Sequence, residues 1–276
     1  MLVTGVPRSG TTWLARELAA ARGAALPGKE PMNPRAGQFA LGGTLQSWSK
    51  LEQPTARQVA LLRRVYRGRE PRTLSRYGVK QWSAALPWVT TVVKDPFALI
   101  AVPTVVRVTS AVPVIVFRHP GAVLASYRRM GWTAGIGEIR RLDGLPAGAE
   151  PKDDVAAMAE FWTWMHRQVL SWVDDVPGCL LVDHAEFSLA GAAGLAALRS
   201  AVGLQPARER AATESATSAA LAAAAPDAGG LHRFDRAPEE VAHGWRARLA
   251  PAETDLLDSV TTETYLALHR RRFRST

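Results

Sequence analysis

Two stretches of the chain carry residue types that could grip an anion. The first is Gly5-Val6-Pro7-Arg8-Ser9-Gly10-Thr11-Thr12-Trp13, between an apolar run and a helical pattern. Glycines at this spacing let the backbone turn tightly, and the amides that open a following helix point at a negative charge. The spacing is that of a nucleotide-phosphate loop, but the Lys that should follow Gly10 is replaced by Thr11, and the cation sits inside the loop at Arg8. Such a loop suits a smaller anionic group than a triphosphate. The second stretch is Arg118-His119-Pro120, with Ser126 two helical turns further on. Here an Arg at a strand end and a Ser on the next helix can converge on one anion, and Arg suits bidentate phosphate recognition.

The elements that must position these residues follow from hydrophobic pattern. Short apolar runs at 2–6, 91–95, 113–118 and 179–183 read as strands. Helical patterns cover the run from Thr11 to a C-cap at Gly23, then 55–67, 119–130, about 153–175, about 189–225 and 251–272. Residues 26–54 read as loop. Strands alternating with helices predict an α/β fold, a single domain over 1–276 with a central parallel sheet flanked by helices.

Composition narrows the class. The 276 residues are 47% hydrophobic and 21% charged, which excludes a disordered or fibrous chain. The excess of 34 Lys+Arg over 25 Asp+Glu, +9 in all, is compatible with a polyanionic small molecule or with a basic composition alone. No basic arm with interleaved aromatics points to nucleic acid. Cys179 is the single cysteine, so neither an internal disulfide nor a Cys-based zinc site is expected. No apolar run reaches the roughly 20 residues of a membrane span, and the opening MLVTGVPRSG has no signal-peptide pattern. A soluble cytoplasmic protein of open oligomeric state is the expectation.

The segment PRSGTTWL resembles the 5′-phosphosulfate loop of sulfotransferases that use 3′-phosphoadenosine 5′-phosphosulfate (PAPS), and Arg118, Pro120 and Ser126 are similar to that family's 3′-phosphate motif. The resemblance implies a sulfotransferase fold like that of P-loop nucleotide hydrolases, with PAPS as donor, adenosine 3′,5′-bisphosphate (PAP) as product, and no metal. It implies that Arg8, Ser9, Gly10, Thr11 and Thr12 hold the phosphosulfate, that Trp13 lies against the adenine, and that Arg118 and Ser126 hold the 3′-phosphate. Arg236, with Arg233 as its rival, resembles a late-loop 3′-phosphate contact, although Ala237-Pro238 stands where the family has Lys-Gly.

For the chemistry, Arg8 is the first candidate to stabilise the leaving oxygen. Lys94 is similar to a strand-end Lys that holds the sulfuryl oxygens, or else it pairs locally with Asp95. Glu30 resembles the Glu base of carbohydrate- and tyrosylprotein-directed members, or else is a solvated loop charge; His119 and His232 are further candidates. The acceptor implied is a hydroxyl of a small molecule, sugar or natural product, in a pocket built from residues 31–54, 75–90 and 131–152, with Trp48, Trp82, Trp88 and Trp132 as possible lining or core. Two other readings stay open: a kinase-like phosphotransferase using ATP and magnesium through Asp183 at the end of LLVD, and a nucleotide-binding protein without chemistry.

Overall fold

A computed structural model describes residues 1–75, 79–145, 153–207 and 237–274. Among the described residues the strands run in chain order as β1 (Leu2–Thr4), β2 (Ala21–Arg22), β3 (Ala24–Ala25), β4 (Thr90–Thr91), β5 (Val93–Lys94), β6 (Pro113–Phe117), β7 (Leu180–Asp183) and β8 (Gln205–Ala207). The helices are α1 (Thr11–Ala19), the single turn α2 (Ala40–Gly43), α3 (Ala56–Tyr66), α4 (Val102–Thr109), α5 (Pro120–Met130), α6 (Ile136–Leu142), α7 (Asp154–Leu170) and α8 (His184–Ala201), then Pro238–His243 and the C-terminal Pro251–Arg271.

The central sheet is parallel, in the order β5-β1-β6-β7, with Val3 beside both Lys94 and Val114, and Phe117 beside Asp183. Its strands alternate between two apolar faces. Leu2, Ile115, Phe117 and Leu181 pack with Val123 and Leu124 of α5 and Phe161, Trp162 and Met165 of α7. Val3, Val114, Val116 and Val182 pack with Leu14 and Leu18 of α1 and Phe187, Leu195 and Leu198 of α8. This is the expected α/β architecture, and it sets the C-terminal ends of all four strands on one edge. Among the described residues no helix is long and apolar enough to cross a membrane.

Several boundaries differ from the sequence reading. The first helix stops at Ala19 rather than Gly23, because Ala21–Arg22 pairs antiparallel with β8 and Ala24–Ala25 pairs parallel with β4. Gly23, at φ 68°, makes the turn between those two pairings. The run at 91–95 is shared by two strands, and the following apolar stretch is a 3-10 turn, Pro96–Ala101, leading into α4. α6 was not anticipated. The helical segment expected from about 189 is preceded by a first piece that starts at His184, where Asp183 caps it by accepting from the Glu186 amide at 2.9 Å, and the two pieces are separated by a kink at Gly191, φ 56°. The part of that expectation beyond residue 207 lies outside the described residues.

One buried group ties the fold to pH. His166 on α7 is fully buried, with Nδ1 2.7 Å from the Trp162 carbonyl oxygen, and burial pushes its pKa down to about 4. Between about pH 6.5 and 4 the unfolded chain takes up a proton that the folded ring refuses, so stability falls as pH falls through that window. The expected loss from this residue is on the order of 3 kcal/mol. Denaturant titrations of wild type and His166→Gln across that range check it: the variant should show the shallower pH slope.

Candidate active site

At the edge where β1 ends, the chain enters the glycine loop. Arg8 sits in the left-handed region at φ 71°, Gly10 at φ 103°, and the Ser9 amide donates to the Val6 carbonyl at 3.1 Å. α1 then starts with no side-chain cap and no acidic residue in its first turn. Its opening amides and the positive end of its dipole therefore favour an anion. The loop has no room for larger residues. A Cβ on Gly5 would lie 2.1 Å from the Val116 carbonyl oxygen, and one on Gly10 would lie 1.9 Å from Cδ2 of His184. Gly10→Ala is expected to cost about 1–3 kcal/mol of stability through this overlap and its backbone strain. Adding His184→Ala should recover the overlap part only, which thermal unfolding of the single and double variants measures.

The two anion motifs meet directly. Nε of Arg8 donates to Oγ of Ser126 at 2.9 Å, and the Arg118 guanidinium donates to the Arg8 carbonyl at 3.3 Å and to that of Val241 at 2.8 Å. The Arg118 carbonyl is itself held by Nε1 of Trp162 at 2.9 Å. Thus strand β6, helix α5, the glycine loop and the helix Pro238–His243 are joined at one point. Gly121 allows Trp245 to pack against the start of α5, since a Cβ there would lie 2.3 Å from the indole.

Lys94, at the end of β5, forms an ion pair with Glu30, and Nδ2 of Asn33 donates to the other Glu30 oxygen. Lys94 therefore reaches across the chain instead of pairing with its neighbour. Asp95 points away, accepting from the amides of Met32 and Phe97. Burial, reinforced by the charge of Glu30, pushes the Asp95 carboxyl up to about 8. Its role is to pin the loop that carries Glu30. Glu30 is buried, which excludes the solvated-loop alternative for it.

These groups line one cavity of about 500 Å³, a size suited to a nucleotide-sized ligand. Arg8, Gly10, Thr11, Thr12, Trp13, Glu30, Lys94, Arg118 and Ser126 all contribute to its wall. Ser9 does not: it is fully buried with its hydroxyl turned toward Gly5, so it offers backbone alone. Arg236, Arg233 and His232 lie outside the described residues. Of the four tryptophans only Trp132 lines the cavity. Trp48 stacks on Phe97 in the core at 4.4 Å, and Trp82 and Trp88 are exposed on the surface. Asn33, Arg35, Gln38, Arg129 and His184 also line it and were not singled out from sequence. The proline-bracketed PMNPR was the available signal for Asn33 and Arg35.

Two alternatives lose their residues to structural duties. His119 stacks on Trp245 at 4.3 Å, accepts from the Gly121 amide at 3.2 Å, and is pushed down to about 4 by burial, so it is a helix-start residue. Asp183 is buried, and besides capping α8 it accepts from the Tyr265 hydroxyl at 3.1 Å and faces Nε2 of His269 at 3.2 Å. Among the described residues no group of three or more His, Cys, Asp or Glu could hold a metal ion.

No family model matches this sequence, and no curated protein matches it. Among solved structures, the chain is similar to the sulfotransferase domain from the Synechococcus PCC 7002 olefin synthase, with a TM-score of 0.52 at 18% identity, over 98% of this chain and 92% of that domain. The fold is accordingly that of a sulfotransferase domain.

Proposed function

We propose that this chain is a sulfotransferase that moves a sulfuryl group from PAPS to a hydroxyl of a small-molecule, sugar or natural-product acceptor. The observation that carries the reading is the single cavity in which the uncapped α1, Arg8, Ser126 and Arg118 meet Glu30 and Lys94. The donor fits these residues. The α1 amides, Arg8, Thr11 and Thr12 would hold the phosphosulfate, Arg118 and Ser126 the 3′-phosphate, and Trp13 offers a face to the adenine.

When bound, PAPS supplies the sulfuryl group, whose sulfur exchanges its bond to the 5′-phosphate oxygen for one to the acceptor oxygen. Glu30 takes the hydroxyl proton. An ionised carboxylate has about four lone-pair sites, and the bonds from Lys94 and Asn33 orient it while leaving acceptor capacity. Arg8 would place positive charge where charge builds on the leaving oxygen and Lys94 beside the sulfuryl oxygens, and such charge stabilisation is the principal catalytic contribution in group transfers of this kind. Incubation with radiolabelled PAPS and a panel of hydroxyl acceptors tests this reading. Label should pass to an acceptor, and Arg118→Ala should suppress that transfer. Magnesium-dependent ATP consumption indifferent to Arg118→Ala would instead support the kinase reading.

A further inference from the structure

Arg35 has no part in the donor contacts above, yet it lines the same cavity. Its guanidinium lies 4.2 Å from the centre of the Trp132 ring and 5.9 Å from that of Phe97. Among the described residues the guanidinium itself makes no hydrogen bond or ion pair. A guanidinium laid on an indole face keeps its N–H donors in its own plane, along an edge that the ring does not cover. That edge is the fork that binds carboxylate or phosphate with two parallel hydrogen bonds.

The position is also fixed relative to the proposed base. The Arg35 amide donates to Oδ1 of Asn33 at 2.9 Å, and Nδ2 of the same Asn33 holds Glu30. One side chain thus sets both the carboxylate that would take the proton and the loop that carries the stacked arginine. The cavity's charge points the same way. Its one described carboxylate, Glu30, is neutralised by Lys94, while Arg8 and Arg118 are committed to the donor end. Arg35 and Arg129 are the further cations on its wall, and of the two Arg35 is the one over Trp132, beside the loop that carries Glu30.

We infer that Arg35, stacked on Trp132, is an acceptor-anchoring subsite for a carboxylate or phosphate group, so that the acceptor is an anionic hydroxyl compound. The inference rests on the sulfotransferase reading, and its test separates the two. Benzoate, phenyl phosphate and the neutral benzamide are titrated calorimetrically into PAP-saturated protein, in wild type, Arg35→Gln and Arg35→Lys. PAP fills the donor's phosphate contacts, and the Arg35 variants separate Arg35 from Arg129, which also lines the cavity.

At least one anion should bind about tenfold or more tightly than benzamide. Arg35→Gln should abolish that preference, Arg35→Lys should keep part of it, and PAP affinity should be the same in all three. Whichever of benzoate and phenyl phosphate binds better identifies the anchored group. Equal binding of all three probes, a preference that survives Arg35→Gln, or weakened PAP binding in that variant would overturn the assignment. Failure of PAP to bind at all counts against the donor reading, and the same comparison on the free protein still decides the role of Arg35.

Discussion

Glu30→Gln is expected to lower kcat for sulfuryl transfer about 10²- to 10⁴-fold, the usual range for removing a general base, while PAP affinity stays within about twofold. Gln keeps the size of the side chain and an oxygen for Asn33, but its amide cannot take a proton. The substitution also leaves Lys94 facing an amide in a site where both side chains are nearly buried, at 12% and 11% exposure, so some stability is lost with the ion pair. Thermal unfolding and PAP titration of the same preparation separate that loss from the catalytic one. Glu30→Asp provides the control, since a shortened carboxylate still accepts a proton and should retain part of the turnover. Full activity in Glu30→Gln would remove Glu30 as the base.

Arg118→Ala is expected to weaken PAP binding about 10- to 150-fold, from the roughly 1.5–3 kcal/mol of a charged hydrogen bond. The structure puts the effect toward the upper end. Besides the proposed 3′-phosphate contact, the substitution removes the bonds to the carbonyls of Arg8 and Val241, which join the glycine loop to the helix Pro238–His243. Arg118→Lys keeps a charge without the fork and should fall between wild type and Ala. Ser126→Ala should weaken binding less, because it removes one hydroxyl and the partner of Nε of Arg8. Calorimetric titration of the three variants orders them, and an unchanged affinity in Arg118→Ala would refute the role given to this guanidinium.

The central sheet was legible because parallel strands buried on both faces read as short continuous apolar runs. PVIVF and LLVD are such runs, each followed by a helical period. The glycine loop was legible because its backbone geometry is encoded locally, in Gly5, Gly10 and Arg8 inside the turn. What escaped is set by contacts between distant parts of the chain. α1 ends where it does because β2 pairs with β8, far along the sequence. Lys94 pairs with Glu30 because neighbouring residues at a strand end project to opposite sides, which sends Asp95 toward the amides of Met32 and Phe97. Nothing local distinguishes Trp132, which faces the cavity, from Trp48, which is buried against Phe97. For Arg35 the prolines of PMNPR mark only an irregular loop, and its place over the Trp132 ring comes from a residue far along the chain.

The most direct measurement of the central claim is calorimetric titration of PAP into the wild-type protein without magnesium. One molecule should bind per chain at micromolar concentration, with affinity falling as salt rises, because the contacts are charged. Absence of binding at high micromolar PAP would contradict the donor assignment and, with it, the proposed reaction.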